Sequence, residues 1–192
     1  MNAATDSSRQ FLRHTVGTSA YRGGKVLRDA PDDFESFRAG ETTRTPSQIL
    51  AHIGDLLDWA LSQTSGKEQW NDATSLPWEQ EIGRFYDGLN GLDTFLASDV
   101  ALCRPCERIF QGPVADALAH FGQLAMLRRL ADQPVRGENC AGAEIERGCV
   151  GPHQSPKRME LDREMQLVAF FSSADARPGC ASPAADSKEG IC

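Results

Sequence analysis

The sequence predicts an all-α protein, specifically an up-and-down four-helix bundle with a short C-terminal appendage. Long segments repeat their apolar residues at helical spacing, and few segments resemble strands. The links between these segments are mostly modest in length, which favours successive helices packing side by side. Of the 192 residues, 40 % are hydrophobic and 24 % are charged. That balance is ordinary for a folded chain large enough to bury a core.

The first predicted helix covers about residues 8–30. Its apolar side carries Leu12, Val16, Ala20 and Leu27. Three glycines, Gly17, Gly23 and Gly24, weaken this prediction because glycine is a poor helix former. Pro31 is expected to end the helix, and residues 34–44 form a connecting loop.

The second helix begins at Thr45-Pro46, where a capping hydroxyl precedes a proline at the first helical position. Its apolar residues are Ile49, Ile53, Leu56, Leu57 and Ala60. We expect it to run to about Ser65, with Gly66 as its stop signal.

The third helix starts near Pro77 and has the most regular apolar stripe in the chain. Its positions are Trp78, Ile82, Phe85, Leu89, Leu92 and Leu96. Steps of three and four residues place them on one helix face.

The fourth helix follows Gly112-Pro113 and continues to Leu130 or Ala131. Its apolar residues are Val114, Leu118, Phe121, Ala125 and Leu127. Arg128 and Arg129 lie in the last turn, where the helix dipole favours positive charge.

Beyond the fourth helix the helical pattern weakens. A short helix is predicted over 138–147, and residues 152–165 are irregular. We therefore expect one domain over 8–165. Residues 172–192 are rich in Ala, Ser, Pro, Gly and Asp, which predicts a disordered tail.

The net charge, the lack of long apolar runs and the cysteine spacing limit the classes of function that this chain could have. The net charge of −7 disfavours nucleic acid as the main partner, because such a surface repels phosphates. No apolar run approaches the roughly 20 residues of a membrane span, and residues 1–10 lack a secretory-signal pattern, so we expect a cytoplasmic protein. Cys103 and Cys106 form one Cys-x-x-Cys without the second pair of a structural zinc site, so reduced thiols without a special role are expected.

Two polar features interrupt the apolar helix faces. His52 lies inside the stripe of the second helix; taken alone, it is best interpreted as a core histidine bonded to a neighbouring group. Asp116, His120 and Gln123 share one face of the fourth helix at spacings of four and three. An imidazole and a carboxylate one turn apart can bind a single metal ion, although surface Asp–His pairs are also common.

Two parts of the chain resemble the DinB-like superfamily. The first is the start of the second helix, Thr45-Pro46 followed by Ile49 to His52. The second is Asp116-Ala-Leu-Ala-His120-Phe-Gly-Gln123, with Leu127-Arg128-Arg129 behind it. The resemblance covers about residues 8–155. It implies a four-helix bundle whose metal is bound by His52 and His120. Asp116 stands where the family usually has another histidine. The resulting set of two histidines and one carboxylate suits Zn²⁺, Ni²⁺, Mn²⁺ or Fe²⁺.

The resemblance also implies a metal-dependent enzyme that acts on a small-molecule substrate, either as a thiol-dependent transferase or as a hydrolase. A low-molecular-weight thiol would then be a cofactor. Trp59, two turns from His52, and Gln123 are candidate walls of the site. The alternative is a non-catalytic bundle that binds a small ligand or a protein, and a homodimer is compatible with both hypotheses.

Overall fold

The computed structural model describes residues 3–154 and 160–161. Its four long helices are α1 (Ala3–Leu27), α2 (Pro46–Thr64), α3 (Trp78–Ala97) and α5 (Ala115–Leu130), and the short helix α4 is Cys106–Ile109. No strand occurs in the described ranges, where the only β-type pairing is an isolated bridge between Glu138 and Glu160. The all-α prediction is confirmed. Within the same ranges, no helix is both long and apolar enough to cross a bilayer.

The N-terminus of α2 forms as its sequence predicts. The Thr45 hydroxyl accepts a hydrogen bond from the Gln48 backbone N–H at 3.2 Å, and the Gln48 side chain accepts one from the Thr45 N–H at 2.9 Å. This reciprocal capping satisfies two of the donors that a helix start leaves unpaired. At the other end, Gly66 has φ +74°, a conformation that favours glycine and stops the helix.

The apolar stripe of α3 forms the centre of the core. Phe85, Leu89, Leu92 and Leu96 are buried, as their spacing predicts. Trp78 and Ile82, at the start of the same stripe, are half-buried against the core.

Helix α1 is continuous through its glycines, which support close packing. A Cβ atom on Gly23 would lie 2.4 Å from the Phe85 ring and 3.0 Å from the Phe121 ring. Gly23 therefore lets α1 approach both α3 and α5, a tertiary gain that outweighs glycine's low helix propensity.

The helix before the predicted Gly112-Pro113 start is a feature that the sequence pattern did not indicate. The chain is already helical at α4 and continues through a wide turn, Phe110–Val114, into α5. Gly112 has φ −87° and ψ −105°, outside the helical range, and Pro113 follows within the turn. Proline supplies no backbone N–H, so the hydrogen-bond ladder is interrupted and the axis can kink here.

The long helices contact one another in the cyclic order α1, α3, α2, α5. Helix α1 is antiparallel to α3, because Arg13 pairs with Asp93 while Gly23 meets Phe85. Helix α5 is parallel to α1, because Phe11 in the first half of α1 contacts Phe110 in the turn that leads into α5. At their ends, the Arg128 guanidinium donates to the Val26 carbonyl at 3.1 Å.

Helices α2 and α3 run in the same direction, which departs from the strict alternation of an up-and-down bundle. A Cβ on Gly88 would lie 2.9 Å from the Leu57 Cβ, and one on Gly91 would lie 3.2 Å from a Leu61 methyl. Contacts that advance together along both helices define a parallel pair.

The chain returns from the end of α2 to the start of α3 through the link 65–77, hereafter the strap. An extended chain spans about 3.3 Å per residue against 1.5 Å in a helix, so the strap can run the length of α2.

Two buried carboxylates fix the strap to the helices. Asp55 of α2 accepts the Ala73 backbone N–H at 3.2 Å, and Glu81 of α3 accepts the Leu76 N–H at 2.8 Å. Arg84 donates to Asp55 and to Asp58 at 2.6 Å each. One guanidinium thus links α2 and α3 beside the strap's attachment points.

The region after α5 differs from the prediction. The helix expected over 138–147 is wrong: only the 3-10 turn Cys140–Gly142 forms there. Gly142 near its middle and the lack of an apolar stripe explain this outcome. The predicted tail 172–192 and most of 155–165 lie outside the described residues.

The close approach at Gly23 gives a stability prediction. Gly23→Ala should destabilise the fold by about 1–3 kcal/mol, because the added methyl overlaps the Phe85 ring in a filled core. Urea unfolding followed by circular dichroism measures the change. Gly83→Ala is the matched control: its Cβ would meet nothing within 4 Å, so it should stabilise α3 by about 1 kcal/mol. Equal effects of the two substitutions would contradict this packing.

Candidate metal centre

Three potential ligands meet where α2 crosses α5. His52 lies near the middle of α2, Asp116 in the first turn of α5, and His120 one turn further on. The two helices are antiparallel, since His52 faces the Asp116–His120 turn while Trp59, further along α2, lies beside Gly112. The kinked entry into α5 at Gly112 sets where its first turn begins and so where Asp116 lies.

The donor atoms of the three residues all lie within 4.8 Å of one another. The Asp116 carboxylate is 3.9 Å from His52 Nε2 and 3.6 Å from His120 Nε2. The two imidazole rings are nearly perpendicular, with centroids 4.8 Å apart. The predicted residues are therefore together in space, with Nε2 of each ring facing the same carboxylate.

The spacing suits a metal ion. Zinc bonds to nitrogen and oxygen are about 2.1 Å long, so tetrahedral ligands are roughly 3.4 Å apart. The donors of this set need to approach by less than about 1.5 Å to reach that separation. Rotation of the Asp116 and His120 side chains on α5 and of the His52 side chain on α2 can supply such a shift. The two nitrogens and one carboxylate match the ligand types of zinc and of first-row transition metals.

Gln123 fixes the orientation of His120. Its Oε1 is 2.9 Å from His120 Nδ1. A carbonyl oxygen only accepts, so Nδ1 donates this hydrogen bond, and Nε2, on the side of Asp116, is the nitrogen available to a metal. A hydrogen bond behind a ligand histidine is the usual way in which metal sites set its tautomer. Gln123 is exposed and contacts the Nδ1 side of His120, and its role as a wall of the site stays a prediction.

His52 is held in its neutral form. Burial lowers its pKa below the ordinary value, and the nearby His120 and Arg44 lower it further. The carboxylates of Asp116 and Asp55 oppose this shift without reversing it. Neutral imidazole is the form that binds metal, and it leaves the charge of Asp116 uncompensated by His52.

The outer boundary of the centre is aromatic. Trp70 of the strap has its ring centroid 5.7 Å from that of His52 and 5.7 Å from that of Trp59. Trp59 Nε1 donates to Glu68 of the strap at 3.3 Å. Trp59 is thus connected to His52 through Trp70, and its role as a wall of the site stays a prediction.

Trp70 was not identified by sequence reasoning. It lies in a polar, irregular link. Such a link has no helical or strand periodicity from which the direction of a side chain could be predicted. The available signal was a large aromatic residue in a segment that cannot bury it by its own folding. It remains 46 % exposed.

The other histidines and the cysteines do not join this cluster. His14 and His153 are exposed. In the described part of the chain, Cys103, Cys106, Cys140 and Cys149 are free thiols. Burial is the first cause that raises the pKa of the Cys106 thiol, which makes it less reactive.

No family model matches this chain, and no curated protein or solved structure matches it. The resemblance to the DinB-like superfamily therefore stays a sequence-based prediction.

The hydrogen bond behind His120 can be tested through metal affinity. Gln123→Ala should weaken Zn²⁺ binding by about 10- to 100-fold, because His120 loses the acceptor that fixes its tautomer. Competition with a chromogenic chelator gives the dissociation constant. Gln133→Ala, an exposed glutamine beyond the end of α5, should leave the constant unchanged. Equal affinities of the wild type and Gln123→Ala would contradict the assigned role.

Proposed function

We propose that this chain is a DinB-like metalloprotein that binds one divalent metal ion through His52, Asp116 and His120. The observation that carries the proposal is the convergence of these three donors, from two facing helices, within 4.8 Å. Helical bundles characteristically build metal sites in this way, from side chains on facing helices.

We further propose that the four long helices form a closed bundle of that superfamily. The cyclic order of helix contacts supports a closed arrangement. The parallel α2–α3 pair makes it a bundle with a crossover link, and the strap provides that crossover. The substitution of a carboxylate for one family histidine makes the ligand set harder and more negative, which widens the range of metals to Zn²⁺, Ni²⁺, Mn²⁺ and Fe²⁺.

The proposed activity is that of a metal-dependent enzyme acting on a small molecule, as a thiol-dependent transferase or a hydrolase. Three protein ligands leave coordination positions for water, a thiol or a substrate. A metal bound there would lower the pKa of such a ligand and supply a nucleophile at neutral pH. Asp116, with 53 % of its side chain exposed, lies on the solvent side, so a ligand can approach there. Trp70 limits the approach beside His52.

Metal content is the direct test of the site. Protein purified without an affinity tag or chelator, or reconstituted with each of the four metals, should contain about one ion per chain by elemental analysis. His52→Ala and His120→Ala should each lower that content severely, because two remaining ligands bind weakly. His14→Ala removes an exposed histidine on α1 and serves as the matched control. Full occupancy in His120→Ala would mean that these residues are not the ligands.

Thermal unfolding separates a metalloprotein from a non-catalytic bundle whose Asp–His contacts are only structural. With free metal at about 100 times its dissociation constant, the folded state gains about 2.7 kcal/mol, and a chelator removes this gain. For a chain of this size the gain corresponds to a rise in Tm of about 5–11 °C. The His14→Ala variant should respond like the wild type, and His120→Ala should not respond. Absence of a chelator response in the reconstituted wild type would favour the non-catalytic bundle.

A further inference from the structure

A polar cavity of about 520 Å³ adjoins the metal centre, with His52 in its wall. One side is formed by the first turns of α2, including Thr45, Ser47 and Gln48. The other side is formed by the strap residues Asp72, Ala73, Thr74 and Ser75. Since His52 belongs both to the cavity wall and to the candidate metal centre, a molecule in this cavity is next to any metal bound at the centre.

The strap side of the cavity is fixed in place. The Ala73 N–H is bonded to Asp55, whose side chain is only 2 % exposed, and Leu76 N–H is bonded to the fully buried Glu81. Arg84 holds Asp55 from the α3 side at 2.6 Å. These contacts attach the strap to two helices, so the cavity is a built feature of the fold.

Two arginines give the cavity its positive character. Arg38 and Arg44 both line it, and none of the ion pairs in the described part of the chain involves either one. Arg38 donates to the Thr43 carbonyl at 2.8 Å, which orients its guanidinium while leaving other N–H groups. Arg44 and His52 line the same cavity, so the Arg44 guanidinium lies on the cavity side of this ligand.

The carboxylates of the cavity offset this charge only in part. Asp55 is hydrogen-bonded to Arg84, which also bonds to Asp58, and the exposed Asp72 is the other acidic group of the lining. Arginine pairs with carboxylates through two parallel hydrogen bonds, which favours planar oxyanions over neutral groups.

We propose that this cavity is the substrate subsite of the metal centre and that Arg44, assisted by Arg38, selects small molecules bearing a carboxylate. The inference rests on the proposed metal site, because the carboxylate is recognised in a molecule whose other end reaches the metal. His52 lines the same cavity as Arg38 and Arg44, so a ligand bound at the metal can extend from His52 towards the two arginines.

Matched thiol ligands test the proposal in the full-length, zinc-loaded protein. One pair is 3-mercaptopropionate and 3-mercapto-1-propanol, and a second pair has the corresponding six-carbon chains. The members of each pair share their metal-binding sulfur and chain length and differ in the carboxylate. Isothermal titration calorimetry gives the affinities, and elemental analysis of the same sample gives the zinc content.

In the wild type, at least one thiol carboxylate should bind roughly tenfold or more tightly than its alcohol, since hydrogen bonds between charged groups are among the strong ones. Arg44→Gln should remove most of this preference while leaving alcohol binding and zinc content unchanged. Arg22→Gln, an exposed arginine of α1, is the matched control and should keep the preference.

Two results would overturn the inference. With zinc fully bound, equal affinities within both pairs, or a preference that survives in the double variant Arg38→Gln/Arg44→Gln, would refute the role of the arginines and leave the metal site intact. Failure of the wild type to bind zinc or any of the other proposed metals would refute the metal site and, with it, this inference.

Discussion

The guanidinium of Arg84 is the interaction on which this architecture most depends. It bonds to Asp55 and Asp58 of α2 while belonging to α3, and it therefore joins the parallel pair of helices. Asp55 is 2 % exposed, so its charge needs this partner, since removing one member of a buried pair costs about 3–5 kcal/mol. The same carboxylate bonds to the strap at Ala73. Helix pairing and the course of the strap are thus coupled through one ion pair.

The candidate metal centre follows from that coupling. The strap runs beside α2 because α2 and α3 are parallel and the chain has to return between them. Its course takes Trp70 to His52, where the two rings meet edge to face. On the opposite side, the kink at Gly112 and Pro113 begins α5 so that Asp116 and His120 face the same histidine. The course of the strap and the kink before α5 therefore both bring side chains to the ring of His52.

Local chemistry explains which parts of this fold could be predicted from the sequence. The Thr45-Pro46 start, the Gly66 stop and the α3 stripe depend on residues within one or two turns, and each is found as predicted. The grouping of His52, Asp116 and His120 was also predictable, because helical spacing defines a face and the resemblance paired the two faces. The parallel α2–α3 pair was not, since it is defined by contacts between residues distant in sequence, such as Gly88 with Leu57 and Arg84 with Asp55.

The departures share one physical cause, which is that tertiary contacts decide where local propensity is weak. Gly23 is expected to weaken a helix, yet its lack of a side chain allows Phe85 and Phe121 to pack against α1. Trp70 and Arg44 lie in links without periodicity, so their place at the centre depends on the strap and on the turn before α2. The core of such a protein can therefore be predicted from the apolar patterns within its helices. The strap residues that line the cavity, by contrast, come from a link without periodicity, and the buried carboxylates of Asp55 and Glu81 determine where that link lies.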